Sequence, residues 1–232
     1  MINKNKVISL ILARGGSMGI PKKNLAILKK KPLIYWTIKS SINSSIIDET
    51  FVSTDDREIQ ESSIKYGASC PFLRPKKLSL DNISSNQVIL YLIKKYNLNN
   101  KFDILILLQP TSPLRNSTDI DDSLNLMIKS KADSVISVVK NNHPSDWTLS
   151  VSKKNFIKNS NIKKLLKNKT RQQYPVEYSL NGAIYAIKIK NFLKEGHFYS
   201  KNSIIFEMPF QRSVDIDNIF DLKFAELLIS EN

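Results

Sequence analysis

The sequence predicts an α/β fold in which a mostly parallel sheet carries helices on both faces. Mainly apolar runs, clearest at 104–108 and 7–12, alternate along the chain with segments of helical periodicity. Strands covered on both faces are expected to show such runs, because neither side of the sheet meets solvent. The length of 232 residues suffices for one large α/β domain, or for one domain with an insertion.

The predicted elements follow one another in regular alternation. The strands are expected, in chain order, at 7–12, 50–53, 69–72, 104–108, 134–139, 183–187 and 204–207. The helices are expected at 32–42, 56–66, 84–96, 119–129 and 218–229. Pro32 suits a first helical turn, where a missing N–H leaves no hydrogen bond unmade. Gly67 suits the end of the second helix, because glycine readily takes left-handed backbone angles.

Residues 140–180 interrupt this alternation. They are polar, rich in Lys and Asn, and contain only short alternating pieces such as 147–151. We expect an insertion here, built from a hairpin and a helix, with residues 1–139 and 181–232 forming the core domain. The sequence shows no internal repeat and no disordered linker.

The net charge of +14 raises the question of a nucleic-acid partner. The lysines are scattered, and the one basic stretch, 153–171, lies in a polar segment typical of a solvated surface. The chain has no recognisable nucleic-acid-binding motif, so we expect no nucleic acid as partner. A positive field would serve equally well to attract a nucleotide and an acidic substrate.

Cysteine and hydropathy patterns indicate the compartment. Cys70 is the single cysteine, which excludes an intrachain disulfide and suits a reducing cytoplasm. The apolar run near the N-terminus is too short to span a membrane and lacks a signal-peptide cleavage site. We therefore expect a cytoplasmic protein without a membrane partner.

A glycine-rich loop, LARGGSMGIPKKN at 12–24, follows the first predicted strand. Its glycines allow the backbone to approach a ligand, so that N–H groups can point at phosphate oxygens. Arg14 and Lys23 add positive charge at the two ends of the loop. The loop lacks the GK[ST] ending of a Walker A motif and does not match GxGxxG. A plain glycine turn is the alternative, but the two cations favour phosphate binding.

Further polar residues follow predicted strands or open helices, at the sheet edge where α/β proteins bind ligands. Gln109 begins the segment QPTSPLR, whose two prolines make a rigid shelf after the clearest buried strand. Arg74 precedes Pro75, and Ser84 and Ser85 open a helix, where a hydroxyl serves as an N-cap as often as it contacts a ligand.

Asp215 and Asp217 belong to the segment SVDID at 213–217. If this segment is extended, both carboxylates point to the same side. Two such carboxylates can hold a hard cation such as Mg²⁺, with phosphate oxygens and water completing the coordination. The alternative is an acidic turn that caps the last helix.

Taken in order, the motifs resemble the acylneuraminate cytidylyltransferase family, the CMP-sialic acid synthetases. They are LARGGSMGIPKKN, STDD, LRP-x-x-LS-x-D, SS, LQPTSPLR, RQQ-x-P, NGAIYA and DID-x-x-x-DL. Each motif is weak alone, but the ordered set is specific and covers nearly the whole chain. Relatives that act on 3-deoxy-manno-octulosonic acid share the architecture, whereas RQQ-x-P, NGAIY and DID are more similar to the enzymes of nine-carbon sugars.

The resemblance implies a nucleotide-diphospho-sugar transferase fold, Rossmann-like, and a homodimer whose insertion reaches into the partner's active site. The implied nucleotide contacts are Arg14, Gly15, Gly16, Lys23, Asn24, Arg74, Ser84 and Ser85. The implied sugar contacts are Gln109, Arg171, Tyr185, Phe198 and Tyr199. Asp215 and Asp217 match the metal-binding aspartates, and Arg14, Lys23 and Asp217 are the expected catalytic residues, with Asp217 as candidate base directly or through metal-bound water.

The expected reaction is Mg²⁺-dependent transfer of CMP from CTP to the anomeric hydroxyl of a nine-carbon acidic sugar, with release of pyrophosphate. Legionaminate, pseudaminate and 3-deoxy-manno-octulosonate are alternative acceptors, because the segment 143–147 lacks a lysine that some members place near the sugar. A non-catalytic nucleotide-binding protein is a further alternative, since Met18 replaces a lysine usual in the loop. The presence of Asp215 and Asp217 argues against it, and Lys22 is a further cation nearby.

Overall fold

A computed structural model describes residues 5–17, 19–158, 162–163, 165–166 and 169–230. The strands are β1 (Val7–Leu12), β2 (Ile27–Leu28), β3 (Lys31–Pro32), β4 (Glu49–Ser53), β5 (Ile104–Leu108), β6 (Ser134–Lys140), β7 (Tyr178–Lys188) and β8 (Ser203–Glu207). The described α-helices are α1 (Leu33–Ile42), α2 (Arg57–Lys65), α3 (Ser85–Tyr96), α4 (Ser117–Lys129), α5 (Ile189–Glu195) and α6 (Ile219–Ser230).

Six strands form the main sheet, in the order β4-β1-β5-β7-β6-β8. β1 pairs in parallel with β4 and β5, and β6 pairs in parallel with β8. Only β7 runs against its neighbours β5 and β6. The predicted mostly parallel sheet is confirmed, and the carboxyl ends of β4, β1 and β5 meet at one edge.

β5 shows why the sheet is covered on both faces. Ile104, Ile106 and Leu108 point into one core together with residues of α1, α2 and α4. Leu105 and Leu107 point into a second core formed with α3 and α5. All five side chains are buried, as expected of an unbroken apolar run between two helical layers.

Two local predictions are wrong. The expected strand at 69–72 is reduced to one bridge between Ser69 and Phe51, because Pro71 has no N–H with which to extend a ladder. Pro32 does not lie in the first turn of α1. It is the N-cap residue of α1 and pairs with Ile27 in the small β2–β3 ribbon.

The insertion contains little regular structure in its described part. A 3-10 turn at Ser145–Trp147, a bridge between Val151 and Ile157, and a second 3-10 turn at Arg171–Gln173 precede β7. The helix expected here falls on a stretch that includes residues outside the described ranges. Within the described ranges, the helices are all too short or too polar to cross a bilayer.

Candidate active site

Three adjoining cavities lie along the carboxyl edge of the sheet. The central cavity, of about 440 Å³, lies between the glycine loop and the shelf after β5. The arginine cavity, of about 280 Å³, contains Arg74 and Asp81, and the aromatic cavity, of about 190 Å³, contains Tyr185 and Tyr199. Ser85 lines all three, so the cavities adjoin one another, and together they are termed the groove.

Two glycines of the loop have no room for a side chain. A Cβ on Gly15 would lie 2.9 Å from the Cβ of Asp56, the N-cap residue of α2. A Cβ on Gly19 would overlap the backbone carbonyl of Asp217, so the loop rests directly on the acidic segment. A Cβ on Gly16 would meet nothing within 4 Å, and Met18 lies outside the described residues.

Lys23 and Asn24 end the glycine loop in the central cavity. The Nζ of Lys23 donates to Ile216 O at 2.9 Å and to Asp217 Oδ1 at 3.0 Å. Asn24 is buried, and its Nδ2 donates to Arg14 O at 2.9 Å, which fixes the path of the loop. Lys23 is therefore the cation that joins the loop to the acidic segment.

The two arginines of the groove are also paired with acids. Arg14 forms an ion pair with Asp81. Arg74 is buried, its Nε donates to Ser79 Oγ at 3.0 Å, and its Nη2 lies 3.9 Å from Asp55 Oδ1. Burial, and then the charge of Arg14, lower the pKa of Arg74, while Asp55 raises it. The positive charges of both arginines are thus partly neutralised by neighbouring carboxylates.

Lys22 points away from the groove. Its backbone is left-handed, with φ 48°, and its Nζ lies 2.6 Å from Glu58 on α2. The hydrogen bond and the charge of Glu58 raise the pKa of Lys22. Lys22 is not among the residues that line the three cavities.

The two serines at the start of α3 have different places. Ser84 forms a capping box with Gln87, in which each side chain accepts the other residue's backbone N–H. Ser85 faces the groove. Of the two predicted nucleotide contacts, the structure brings Ser85 to the cavities and gives Ser84 the role of a helix cap.

The acidic segment alternates as predicted. Val214 and Ile216 are buried, whereas Asp215 and Asp217 lie on the opposite side. Asp215 as a whole residue is exposed, but its carboxylate lies close to the backbone of β7, since its Oδ2 would lie 3.5 Å from a Cβ on Gly182. Burial, and then the negative charge of Asp217, raise the pKa of Asp215, while a hydrogen bond from Thr111 lowers it.

A hard cation fits this pair of carboxylates. The described residues contain no cluster of three or more acids, histidines or cysteines that would form a complete metal cage. Mg²⁺ is commonly held by one or two carboxylates together with substrate phosphates and water. The donor set therefore suits an ion that arrives with a phosphate ligand, and such an ion would relieve the repulsion that raises the pKa of Asp215.

The aromatic cavity brings together four of the five predicted sugar contacts. Gln109 lies at its border with the central cavity, and Tyr185, Phe198 and Tyr199 form its wall. Burial, and then the charges of Tyr199 and Asp215, raise the pKa of Tyr185. Phe198 is buried and packs against Tyr185, with ring centroids 5.6 Å apart, so it supports the wall more than it faces a ligand.

Arg171 is the fifth predicted sugar contact, and it lies elsewhere. It lines a separate cavity of about 500 Å³ formed by the insertion and the end of β6, next to His143 and Tyr174. Within one chain the structure does not bring Arg171 to Gln109 or Tyr185.

Asn181 is a site residue that the sequence analysis did not single out, although it begins the motif NGAIYA. Its Oδ1 accepts from Ser137 Oγ at 2.6 Å, and its Nδ2 donates to Ser213 Oγ at 3.0 Å. Asn181 thus ties β6 and β7 to the residue two positions before Asp215. The feature of the sequence that could have pointed to Asn181 is its position directly before Gly182 at the start of this motif.

The structure is that of an α/β protein whose mostly parallel sheet carries a cation-lined groove at its carboxyl edge. The profile of the cytidylyltransferase family matches residues 8–228, and the chain belongs to that family. It is therefore a nucleotidyltransferase, and the predicted resemblance to the acylneuraminate cytidylyltransferases is confirmed.

Similar proteins differ in the sugar that their names specify. The pseudaminic acid cytidylyltransferase of Campylobacter jejuni is 33% identical over 98% of this chain and 97% of its own length. The CMP-N,N'-diacetyllegionaminic acid synthase of Legionella pneumophila is 33% identical with the same coverage. The N-acylneuraminate cytidylyltransferase of Escherichia coli is 32% identical over 96% of this chain and 52% of its own length.

Solved structures with low sequence identity share the fold. CMP:2-keto-3-deoxy-manno-octonic acid synthetase, complexed with CTP, superposes with a TM-score of 0.71 at 18% identity, over 97% of this chain and 99% of that one. The 4-diphosphocytidyl-2C-methyl-D-erythritol synthase of Anaerococcus prevotii gives 0.67 at 12% identity, over 99% and 98%.

Proposed function

We propose that this protein transfers CMP from CTP to the anomeric hydroxyl of a nine-carbon acidic sugar of the N-acylneuraminate type, and releases pyrophosphate. The groove carries the proposal, because its cation-lined end, its central part next to Asp217 and its amide-bearing aromatic end follow one another. The names of the relatives support an acidic sugar but point to three different acids, so pseudaminate and legionaminate are the alternative acceptors. We place the reaction in the cytoplasm, which suits a chain with one buried cysteine.

The triphosphate of CTP would lie in the central cavity. Backbone N–H groups of the glycine loop, Arg14 and Lys23 would bind its oxygens, and charge-assisted hydrogen bonds of this kind are the strong ones. The nucleoside would extend into the arginine cavity toward Arg74 and Ser85. Binding would exchange the carboxylates of Asp81 and Asp217 for phosphate oxygens.

The acceptor sugar would occupy the aromatic cavity. Tyr185 and Tyr199 offer ring surface and hydroxyls, and Gln109 offers an amide that can both donate and accept. Bound in this way, the sugar would have its anomeric hydroxyl beside the central cavity, where the α-phosphate would lie. The carboxylate of the sugar would need a cation as partner, and Arg171 is the predicted one. Within a single chain, however, Arg171 lies in another cavity.

A homodimer would supply that cation. The insertion exposes large apolar side chains, with Phe156 at 71% and Leu166 at 75% exposure, together with Val176 and Leu180. An exposed apolar surface of this kind is typical of a protein–protein interface. We propose that the insertion packs against a second copy of the chain and brings Arg171 to the partner's sugar.

Mg²⁺ is the proposed cofactor, and Asp215 and Asp217 would hold it. When bound, it would neutralise charge on the phosphate oxygens. We expect Asp217→Asn to abolish turnover without unfolding the chain, and excess EDTA to stop the wild-type enzyme. Full activity in EDTA would contradict the metal proposal.

The chemical step is a direct displacement. The oxygen of the anomeric hydroxyl would bond to the α-phosphorus, the bond between the α-phosphorus and the bridging oxygen would break so that pyrophosphate leaves, and the hydroxyl proton would pass to Asp217, the candidate base. Arg14 and Lys23 stabilise the charge that develops on the departing pyrophosphate. Positioning and preorganised electrostatics supply most of the acceleration, because no covalent enzyme intermediate forms.

A substrate panel tests the function. CTP is combined separately with N-acetylneuraminate, pseudaminate, legionaminate and 3-deoxy-manno-octulosonate, and pyrophosphate release is measured, with UTP and ATP as controls. We expect release only with CTP and a nine-carbon acid. Release with octulosonate alone would move the substrate to the eight-carbon class, and CTP binding without turnover on any acid would favour the non-catalytic alternative.

A further inference from the structure

Arg115 is a buried cation beneath the shelf after β5. It is 2% exposed, and the partners of its guanidinium are uncharged. Nη1 donates to Gln109 O at 3.3 Å and to Ala183 O at 3.0 Å, and Nη2 donates to Ser40 Oγ at 3.3 Å. Nε has no hydrogen-bond partner in the described part of the chain.

Stability alone does not account for an arginine at this place. Burial lowers the pKa of Arg115 to about 9, and Asp119 raises it only from a distance. That aspartate is itself bound by Arg212, at 2.9 Å. Burying a charge among neutral partners is costly, and apolar residues of similar volume often serve a core equally well or better.

The position of the two carbonyls shows what Arg115 does. The ladder between β5 and β7 ends at the pair Leu108 and Ile184. Gln109 and Ala183 are the next residues on each strand, and their carbonyls both accept from the same guanidinium nitrogen. Gln109 O also accepts from Thr37 Oγ1 and from Ser112 N, each at 3.3 Å, but only Arg115 joins it to Ala183 O, so Arg115 links the two strands beyond their last pair.

That rung lies where the groove is assembled. Gln109 reaches the aromatic and central cavities with its side chain. Its Oε1 would lie 3.0 Å from a Cβ on Gly182, the neighbour of Ala183, and Asp215 Oδ2 would lie 3.5 Å from the same atom. A shift of the Gln109 backbone would move its amide relative to Asp215.

We infer that Arg115 is a positioning residue that holds the Gln109 amide in place for the acceptor sugar. It touches neither substrate, and it acts by fixing the backbone on both sides of the β5–β7 gap. This inference rests on the proposed function, because the acceptor is the sugar placed in the aromatic cavity. Arg115 is thus expected to govern use of the sugar and to leave use of CTP nearly unchanged.

The kinetic test compares Arg115→Met with Arg115→Lys. Methionine keeps the volume without the donors, and lysine keeps one donor group and the charge. Loss of hydrogen bonds from a charged donor predicts a rise of about tenfold or more in the sugar KM for Arg115→Met. We expect the CTP KM to stay within about twofold and Arg115→Lys to recover part of the loss. Lys39→Met is the matched control and should behave as wild type, because Lys39 is an exposed cation on α1 that lines, together with Arg115, a cavity of about 870 Å³ between α1 and the shelf.

Two kinetic results would overturn the inference. One is an unchanged sugar KM in Arg115→Met. The other is an equal loss toward both substrates with no recovery in Arg115→Lys, which would make Arg115 a structural residue only.

A second readout does not depend on turnover. Hydrogen exchange is measured on wild type and Arg115→Met without ligand. We expect faster exchange in peptides covering 108–115 and 181–185, and unchanged exchange in α3. If the wild-type protein transfers CMP to no acidic sugar, the proposed function fails, but hydrogen exchange still tests the role of Arg115. Unchanged exchange at 108–115 in Arg115→Met would show that Arg115 does not hold the shelf.

Discussion

Replacing Lys23 with methionine separates what this cation does for the fold from what it does for the reaction. Its ion pair with Asp217 is screened by solvent, because the Asp217 side chain is 77% exposed. Such a pair stabilises a fold by about 0–1 kcal/mol, and the hydrogen bond to Ile216 O adds about 1 kcal/mol. We expect a total loss of roughly 1–2 kcal/mol, which lowers the melting temperature of a chain this long by roughly 2–8 °C.

The kinetic loss should be much larger. A charge-assisted hydrogen bond to a phosphate oxygen contributes about 1.5–3 kcal/mol when its partner is desolvated. Removing it should lower kcat/KM for CTP by roughly 10- to 150-fold. Thermal unfolding and initial rates of pyrophosphate release with varied CTP measure the two effects on the same preparation.

Lys22→Met is the matched control for Lys23→Met. Both lysines belong to the same loop and both pair with a carboxylate, but Lys22 meets Glu58 outside the groove. We expect its CTP kinetics to stay close to those of wild type. Equal kinetic losses in both variants would refute the assignment of Lys23 as the phosphate ligand, as would a destabilised Lys23→Met with normal CTP kinetics.

Three further predictions follow from the geometry. Because the folded-state pKa of Asp215 is raised, its ionised form opposes folding, and Asp215→Asn should be more stable than metal-free wild type at neutral pH. The difference in melting temperature between the two proteins should shrink as pH falls through that raised pKa. A constant difference in thermal melts from pH 7 to pH 3 would contradict this. Arg171→Ala and Gln109→Ala should each be inactive alone, and a mixture of the two variants should regain activity. In a hybrid dimer, one site combines the unaltered Gln109 of one subunit with the unaltered Arg171 of the other. No recovery after verified subunit exchange would mean that both residues serve the site of the same chain. Gly182→Ala should lower the free energy of unfolding by about 1–2 kcal/mol, because its φ of +75° is strained for alanine, and should also raise the sugar KM, because the new Cβ would lie 3.0 Å from Gln109 Oε1. Gly196→Ala has the same φ but open space around it, so it should lower stability and leave the sugar KM unchanged.

Much of the fold could be predicted because burial on two faces leaves a simple pattern. The run at 104–108 matches β5 residue for residue, and the glycine after α2 takes the expected positive φ of 92°. The reversed direction of β7 was not predicted, since an apolar run carries no information about strand direction. Ser69 forms a single bridge where a strand was expected, because the proline two residues later prevents a longer ladder.

The site was predictable where loops follow adjacent strands, because their carboxyl ends meet at one edge. Lys23 and Gln109 come together for this reason, because β1 and β5 are neighbours, whereas Asp217 reaches them from the segment that follows β8, the strand at the far edge of the sheet. The sequence could not show which of the two neighbouring residues, Ser84 or Ser85, caps α3, since both are serines and serine is a good N-cap. Nor could it predict the burial of Arg115, because arginine is among the residues least often buried, and its partners are carbonyls that any residue type would supply.

The pairing of each phosphate-seeking cation with an acid gives the groove a selectivity against small anions. Inorganic phosphate would have to displace Asp81 from Arg14, or Asp217 from Lys23, and a carboxylate tethered to the same chain competes at a high effective concentration. A triphosphate can contact Arg14 and Lys23 at once, so a single binding event offsets the loss of both ion pairs. We therefore expect the groove to bind a polyanion that spans both pairs more tightly than a simple anion, by a modest factor because both pairs are exposed to solvent.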